Sequence, residues 1–194
     1  MFIQTEDTPN PQSMKFLPGQ EVLGAGRLGL DFPSREAAAQ SPLALALFAL
    51  EGVEGVFLGA DFVTVTKAQT LDWQHLKPSV LGTLADFLSA GGPVLADSAE
   101  AAQSGGSADD YEGETKEIVT MIIDLLETRV RPAVAQDGGD IKFERYEEAE
   151  GIVYLSMRGA CAGCPSSTMT LKQGVENLIK HYVPEVTAVE AIAQ

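Results

Sequence analysis

Residues 158–171 read RGACAGCPSSTMTL and hold both cysteines of the chain, Cys161 and Cys164. The stretch joins two patterns. Before it, IVYLSMRG (152–159) suits a β-strand; after it, Leu171, Val175, Leu178, Ile179 and Tyr182 recur at helical spacing in a helix expected from Ser166 to about Tyr182, which Pro184 ends. A Cys-x-x-Cys pair at such a strand-to-helix junction has backbone amides and the positive end of the helix dipole near its sulfurs, an environment that favours thiolate. Ala162 and Gly163 are small enough for the loop to curl until both sulfurs face one ion or cluster. Pro165 stiffens the exit into the helix, and Ser166 or Ser167 can cap it.

Working outward, a helix is expected from about Glu114 to Val130, with Ile118, Ile122, Leu125 and Leu126 on its apolar stripe and an interruption at Pro132. QDGGD (136–140) follows, its adjacent glycines suited to a turn. DGGDIKFERY and IVYLSMRG then suit two antiparallel strands about the turn EEAEG, and VTAVEAIA closes the chain as a strand. The order is α-β-β-α-β, a small sheet covered by helices.

Further upstream, residues 91–114 are rich in Gly, Ser and Ala and carry six acids without one base. Such a segment has little apolar surface to offset the entropy of ordering, and it is expected to be a flexible linker. The expected division is an N-terminal domain over 1–91, a linker over 92–113 and a C-terminal domain over 114–194. In the first, FIQT and MKFLP suit strands, and Ser41-Pro42 starts a helix through Leu50. GVFLG and DFVTVTK suit a hairpin turning near Gly59 to Asp61. A last helix, starting near Pro78 and stopping at Gly91, carries Val80, Leu81, Leu84, Phe87 and Leu88. The fold class expected is α+β, two small α/β-sandwich-like domains.

Acids outnumber bases 28 to 13 in the 194 residues, a net charge of -15 that repels phosphate backbones and anionic lipid headgroups. Neither nucleic acid nor membrane is an expected partner, and the longest apolar run, LALALFAL (43–50), falls far short of the ~20 residues of a membrane-spanning helix. The first dozen residues resemble neither a secretory signal nor an Arg-rich transit peptide. A reducing bacterial cytoplasm is the expected compartment, with the mitochondrial matrix as the setting of a processed organellar form. In either, a Cys-x-x-Cys favours metal or catalytic chemistry over a permanent disulfide.

Four chemistries compete for the pair. Two inert buried cysteines would not normally sit in a loop rich in Gly and Ser. A thioredoxin-type dithiol needs more fold than the 30 residues after Cys164 provide. A zinc site needs four ligands; His181 lies ~25 Å beyond the motif along a helix, and His75 belongs to the other domain, so zinc would have to recruit carboxylates. A [4Fe-4S] or [2Fe-2S] cluster takes four thiolates, which two copies of this chain would supply across a dimer axis. Such a cluster would be exposed and labile, suited to being handed on.

RGACAGCPSSTMTLKQGVENLIK, together with VRPAVAQDGGDI upstream, resembles the C-terminal domain of the NifU-like (Nfu) family, and MFIQTEDTPNPQSMKFLPG is similar to its N-terminal domain. The resemblance covers nearly everything except the linker. It implies a non-enzymatic scaffold or carrier that holds a labile [4Fe-4S] cluster between two subunits, ligated by Cys161 and Cys164 of each. Its implied partners are itself as a homodimer, a cluster donor and apo iron–sulfur clients, which the N-terminal domain would engage. The larger nitrogen-fixation members carry extra cysteine-bearing domains; this chain has no further cysteine, which implies one cluster site per dimer. The competing enzymatic reading is a dithiol–disulfide oxidoreductase using the same pair.

Other residues carry plainer expectations. Arg158 and Lys172 flank the motif and could offset an anionic cluster, solvated surface charge being the simpler role. Thr168 and Ser167 suit either weak hydrogen bonds to cluster sulfurs or helix capping. Trp73 is expected as a partly buried anchor, His75 as a surface residue and TPNPQSMKF as a turn.

Overall fold

The computed structural model of the chain describes residues 2–24, 27–96, 106–162 and 165–192. The N-terminal domain is a five-stranded antiparallel sheet in the order β1-β2-β5-β4-β3, made of β1 (Gln4–Asp7), β2 (Ser13–Leu17), β3 (Leu30–Phe32), β4 (Val53–Leu58) and β5 (Val63–Lys67). Strand alternation divides its residues between two faces. Met14, Phe16, Leu30, Phe32, Val56, Leu58, Val63 and Val65 form one face of a core, which α1 (Pro42–Phe48) closes with Leu43, Ala44 and Leu47 and α2 (Trp73–Ser89) with Leu76, Val80 and Leu84. Full burial of one side chain such as Phe16 contributes ~2–3 kcal/mol.

The expected Ser41 cap is present: its hydroxyl accepts from Ala44 N at 3.1 Å and donates to the Val94 carbonyl at 2.7 Å. One expectation changes. The second helix begins at Trp73 rather than near Pro78, because Leu76 is needed in the core and Asp72 is already in extended N-cap geometry; Pro78 lies inside the helix and leaves the Gln74 carbonyl without its usual N–H donor. It ends where expected, with Gly91 at φ +67° just past the last turn. The short edge strand β3 was not legible in the sequence.

The C-terminal domain packs α3 (Gly113–Leu125), α4 (Arg131–Gln136) and α5 (Pro165–Tyr182) on a three-stranded sheet, β6 (Gly139–Glu147), β7 (Ile152–Gly159) and β8 (Ala188–Ile192), in the order β6-β7-β8. β6 and β7 are antiparallel, whereas β8 returns through α5 to lie parallel to β7. Val119, Ile122, Ile141, Val153, Leu155, Val175, Ile179 and Val189 lie in its core. Pro132 does not end the first helix. It has no N–H for the Thr128 carbonyl and its ring crowds that oxygen, so the preceding turn opens to π geometry over Leu126–Val130 and the chain continues as α4.

Residues 97–105 of the expected linker lie outside the described residues. Its flanks are anchored: Ala96 N donates to Gln40 O at 2.9 Å, Gly106 N to Phe143 O at 3.2 Å, and Ser107 with Asp110 forms a capping box. No described helix is long and apolar enough to cross a membrane.

Candidate iron–sulfur site

The expected strand and helix form as β7 and α5, and of the loop between them the structure describes residues 160–162. β7 ends at Gly159, whose φ of +64° turns the chain out of the sheet. The loop then folds back on the QDGGD turn. Gly138, at φ +79°, accepts from Ala160 N at 3.2 Å, and Ala162 N donates to Gly159 O at 3.0 Å. Gly139 and Asp140 are the β6 partners of Gly159 and Arg158. The two segments that stood out in the sequence are thus one structure, a cysteine loop framed by a glycine turn.

Cys161 is buried, 7% exposed, and belongs to the C-terminal core. Its thiol is pushed up to about 12, chiefly by burial and further by the charges of Asp137 and Asp140. The dipole argument of the sequence favoured thiolate; burial next to two carboxylates overrides it here. Cys164, and the side chains of Ser166, Ser167 and Thr168 with their expected capping or donor roles, lie outside the described residues. Among those described, no group of three or more His, Cys, Asp and Glu side chains comes together to hold a metal ion.

The loop's charged neighbours have definite partners. Asp140, 6% exposed, accepts from Arg131 Nε at 2.9 Å and Nη2 at 3.1 Å, from Ile141 N at 2.8 Å and from Gly29 N at 2.9 Å. Arg158 is not a solvated surface charge: its Nη1 donates to Gly29 O at 2.9 Å, and its Nε is buried. Burial raises the carboxyl of Asp31 against the opposing pull of the Gly159 N–H and the Arg158 charge. Lys172 instead pairs with Glu190 at 2.8 Å. In the other domain, Trp73 is the expected half-buried anchor, donating to Pro11 O at 3.2 Å, and His75 is exposed.

Beside the loop, α4 and α5 enclose an apolar groove of about 660 Å³ lined by Val130, Val134, Leu171, Val175 and Leu178. Only part of the expected α5 stripe is core, since Val175 and Ile179 are buried whereas Tyr182 is exposed. Periodicity located the stripe, but the depth of its cover depends on neighbours distant in the chain.

Residues 3–91 match the family described as scaffold protein Nfu/NifU N terminal, and residues 122–190 match the NifU-like domain. The NFU1 iron-sulfur cluster scaffold homolog, mitochondrial, of Homo sapiens is 47% identical over 193 residues, covering 99% of this chain and 72% of that protein. The chain belongs to the Nfu family of NifU-like proteins. The Nfu relative from Drosophila sechellia, of the same description, is 50% identical over 192 residues, and this chain spans 65% of its length. The solution structure of a NifU-like protein from Saccharomyces cerevisiae is 29% identical, with a TM-score of 0.46 over 50% of this chain and 86% of that one. Both Nfu domains are present, each α+β and each with its own sheet and core.

Proposed function

We propose that this Nfu chain is a carrier of a labile [4Fe-4S] cluster, held as cargo between two copies by Cys161 and Cys164 of each and passed to apo iron–sulfur proteins. The observation that carries the reading is the position of Cys161. It leaves β7 in a tight glycine-framed loop immediately before α5, with the second cysteine three residues on in the sequence. Two donors from one chain make half of a four-thiolate site, so the complete site needs a second copy. The iron–sulfur scaffold role named for the human and Drosophila relatives supports the same cargo.

Transfer follows from incomplete enclosure. Two cysteines per chain leave the cluster at a subunit boundary, where an acceptor's thiolates replace Cys161 and Cys164 one at a time. Each thiol that binds iron releases a proton, so the acceptor's thiols lose theirs and Cys161 and Cys164 each take one back as the cluster departs. Burial raises the Cys161 thiol in the empty protein, which disfavours the thiolate that a dithiol oxidoreductase and a cluster both need, so the scaffold role named for the relatives is what favours the cluster and a non-catalytic role. The N-terminal domain would engage clients or the donor. The compartment would be a bacterial cytoplasm or, as in the names of the relatives, a mitochondrion.

Anaerobic reconstitution with ferrous iron and sulfide tests the reading. The expected product is a brown dimer with about four iron and four sulfide per two chains, lost in Cys161→Ala and Cys164→Ala. A colourless monomer that cycles a Cys161–Cys164 disulfide would overturn it.

A further inference from the structure

Lys15, Thr64, Phe57 and Asp31 are successive cross-strand partners on β2, β5, β4 and β3, one rung of the N-terminal sheet. They point away from the core that α1 and α2 cover. Antiparallel sheets commonly leave such a face to water, yet Thr64 and Phe57 are 1% exposed and Lys15 is 7% exposed. What covers them is the frame of the cysteine loop. Lys15 Nζ donates to Gln136 O at 3.3 Å, Thr64 Oγ1 donates to Gly138 O at 2.7 Å, and Asp31 Oδ1 accepts from Gly159 N at 3.1 Å. The Phe57 ring lies so close to Gly159 that a Cβ there would come within 2.8 Å of it.

The C-terminal domain reaches back to the same place. Asp140 accepts from Gly29 N, Arg158 donates to Gly29 O, and Arg131 Nη2 donates to Arg27 O at 3.1 Å. The polar partners are complementary on both sides, and the contact grips the frame of the loop at Gly138 in the glycine turn and at Gly159 where β7 ends. Beside them Cys161 is held against Gly139, below the surface that a second copy would have to reach.

We propose that this rung is a docking surface for the chain's own cysteine-loop frame, closed in the empty protein and released when a cluster is loaded. The face bearing Asp31, Phe57 and Thr64 is then presented to other proteins only in the loaded state. The loaded half of this statement rests on the cluster-carrier reading above. Linkage makes the effect reciprocal: the factor by which a cluster weakens docking is the factor by which docking weakens cluster affinity.

The test uses the full reduced chain and reads two things besides iron content. Amide hydrogen exchange at Gly29 and Gly159 reports the interdomain bonds, and alkylation of Cys161 by iodoacetamide, mapped by mass spectrometry, reports loop closure. Both amides are expected to exchange slowly in the empty protein. Asp31→Ala and Thr64→Arg should each speed alkylation about tenfold or more, the response to losing ~1.4 kcal/mol of docking. Reconstitution with iron and sulfide should make Gly29 exchange fast. Fast exchange in the empty wild type overturns the docking even where a cluster binds, and so do folded variants with unchanged alkylation. Protection of Gly29 that persists in the loaded protein overturns the release. Slow exchange in a protein that takes up no iron supports the closed loop while removing the carrier reading. Should Thr64→Arg fail to fold, Asp31→Ala and the wild-type exchange decide the matter.

Discussion

A Cβ placed on Gly139 would lie 2.7 Å from the sulfur of Cys161 and 2.6 Å from the carbonyl oxygen of Arg158. Only a residue without a side chain lets β6 pass the cysteine loop this closely, and the site therefore depends on the glycine as much as on the cysteine. Gly139→Ala should destabilise the protein by about 1–3 kcal/mol, because the backbone of Arg158 has no room to yield. Urea unfolding measures this, and an unchanged midpoint would show that the loop adapts without cost.

The burial of Cys161 has a consequence in alkaline solution. The folded state holds the thiol proton up to about 12, above the ordinary value of 9.0, so the folded protein binds that proton more tightly than the unfolded chain. The resulting stability is fully present below pH 9.0 and is lost as pH rises towards about 12. In the empty protein, alkylation of Cys161 should climb with pH without levelling off near 9.0, and Asp137→Asn should raise the rate by removing a repelling charge. A plateau near the ordinary thiol value would contradict the burial.

Glu176 joins α5 to β8. Its carboxylate accepts from Val189 N at 3.1 Å and from Lys180 Nζ at 2.7 Å, and these bonds, the Lys180 side chain first, hold it below its usual value of 4.5. The depressed carboxyl contributes stability that is present above pH 4.5 and is lost as pH falls through its folded value. Glu176→Gln should cost about 1 kcal/mol at neutral pH. The gap from wild type should narrow as thermal melts are taken below pH 4.5. A gap of constant size would place the effect in packing rather than charge.

Ser41 caps α1 and at the same time binds Val94 in the first residues of the expected linker. Its full burial leaves no water to replace either bond. Ser41→Ala should therefore cost about 2 kcal/mol, at the upper end for a lost cap, read as a lower melting temperature. A loss of only a few tenths would mean that the Val94 bond contributes nothing.

Much of the fold was legible because it is local. The period-two pattern of residues 152–159 gave β7 its bounds, and the cap at Ser41 and the stop at Gly91 follow from hydrogen-bonding capacity and backbone freedom within one turn. The prolines misled because local geometry states only what a proline prefers. Pro78 and Pro132 both lie inside helical runs, where core burial at Leu76 and Val134 outweighs the lost backbone bond. β3 was missed since three residues beside Pro33 carry too little pattern to distinguish a strand from a loop.

At the candidate site the sequence by itself determined the candidate donors and their spacing: two cysteines, three residues apart, in a chain with no third cysteine. It also singled out QDGGD. Only the tertiary structure decided that this turn frames the cysteine loop, that Arg158 is an interdomain donor and that Cys161 holds its proton tightly. Spacing governs which donors can share an ion and is written in the chain. Burial and dielectric are set by what packs on the loop, Gly139 and Asp140 of β6 beside the cysteine and Asp31 and Thr64 of the N-terminal domain at its frame, and they exist only once the chain has folded.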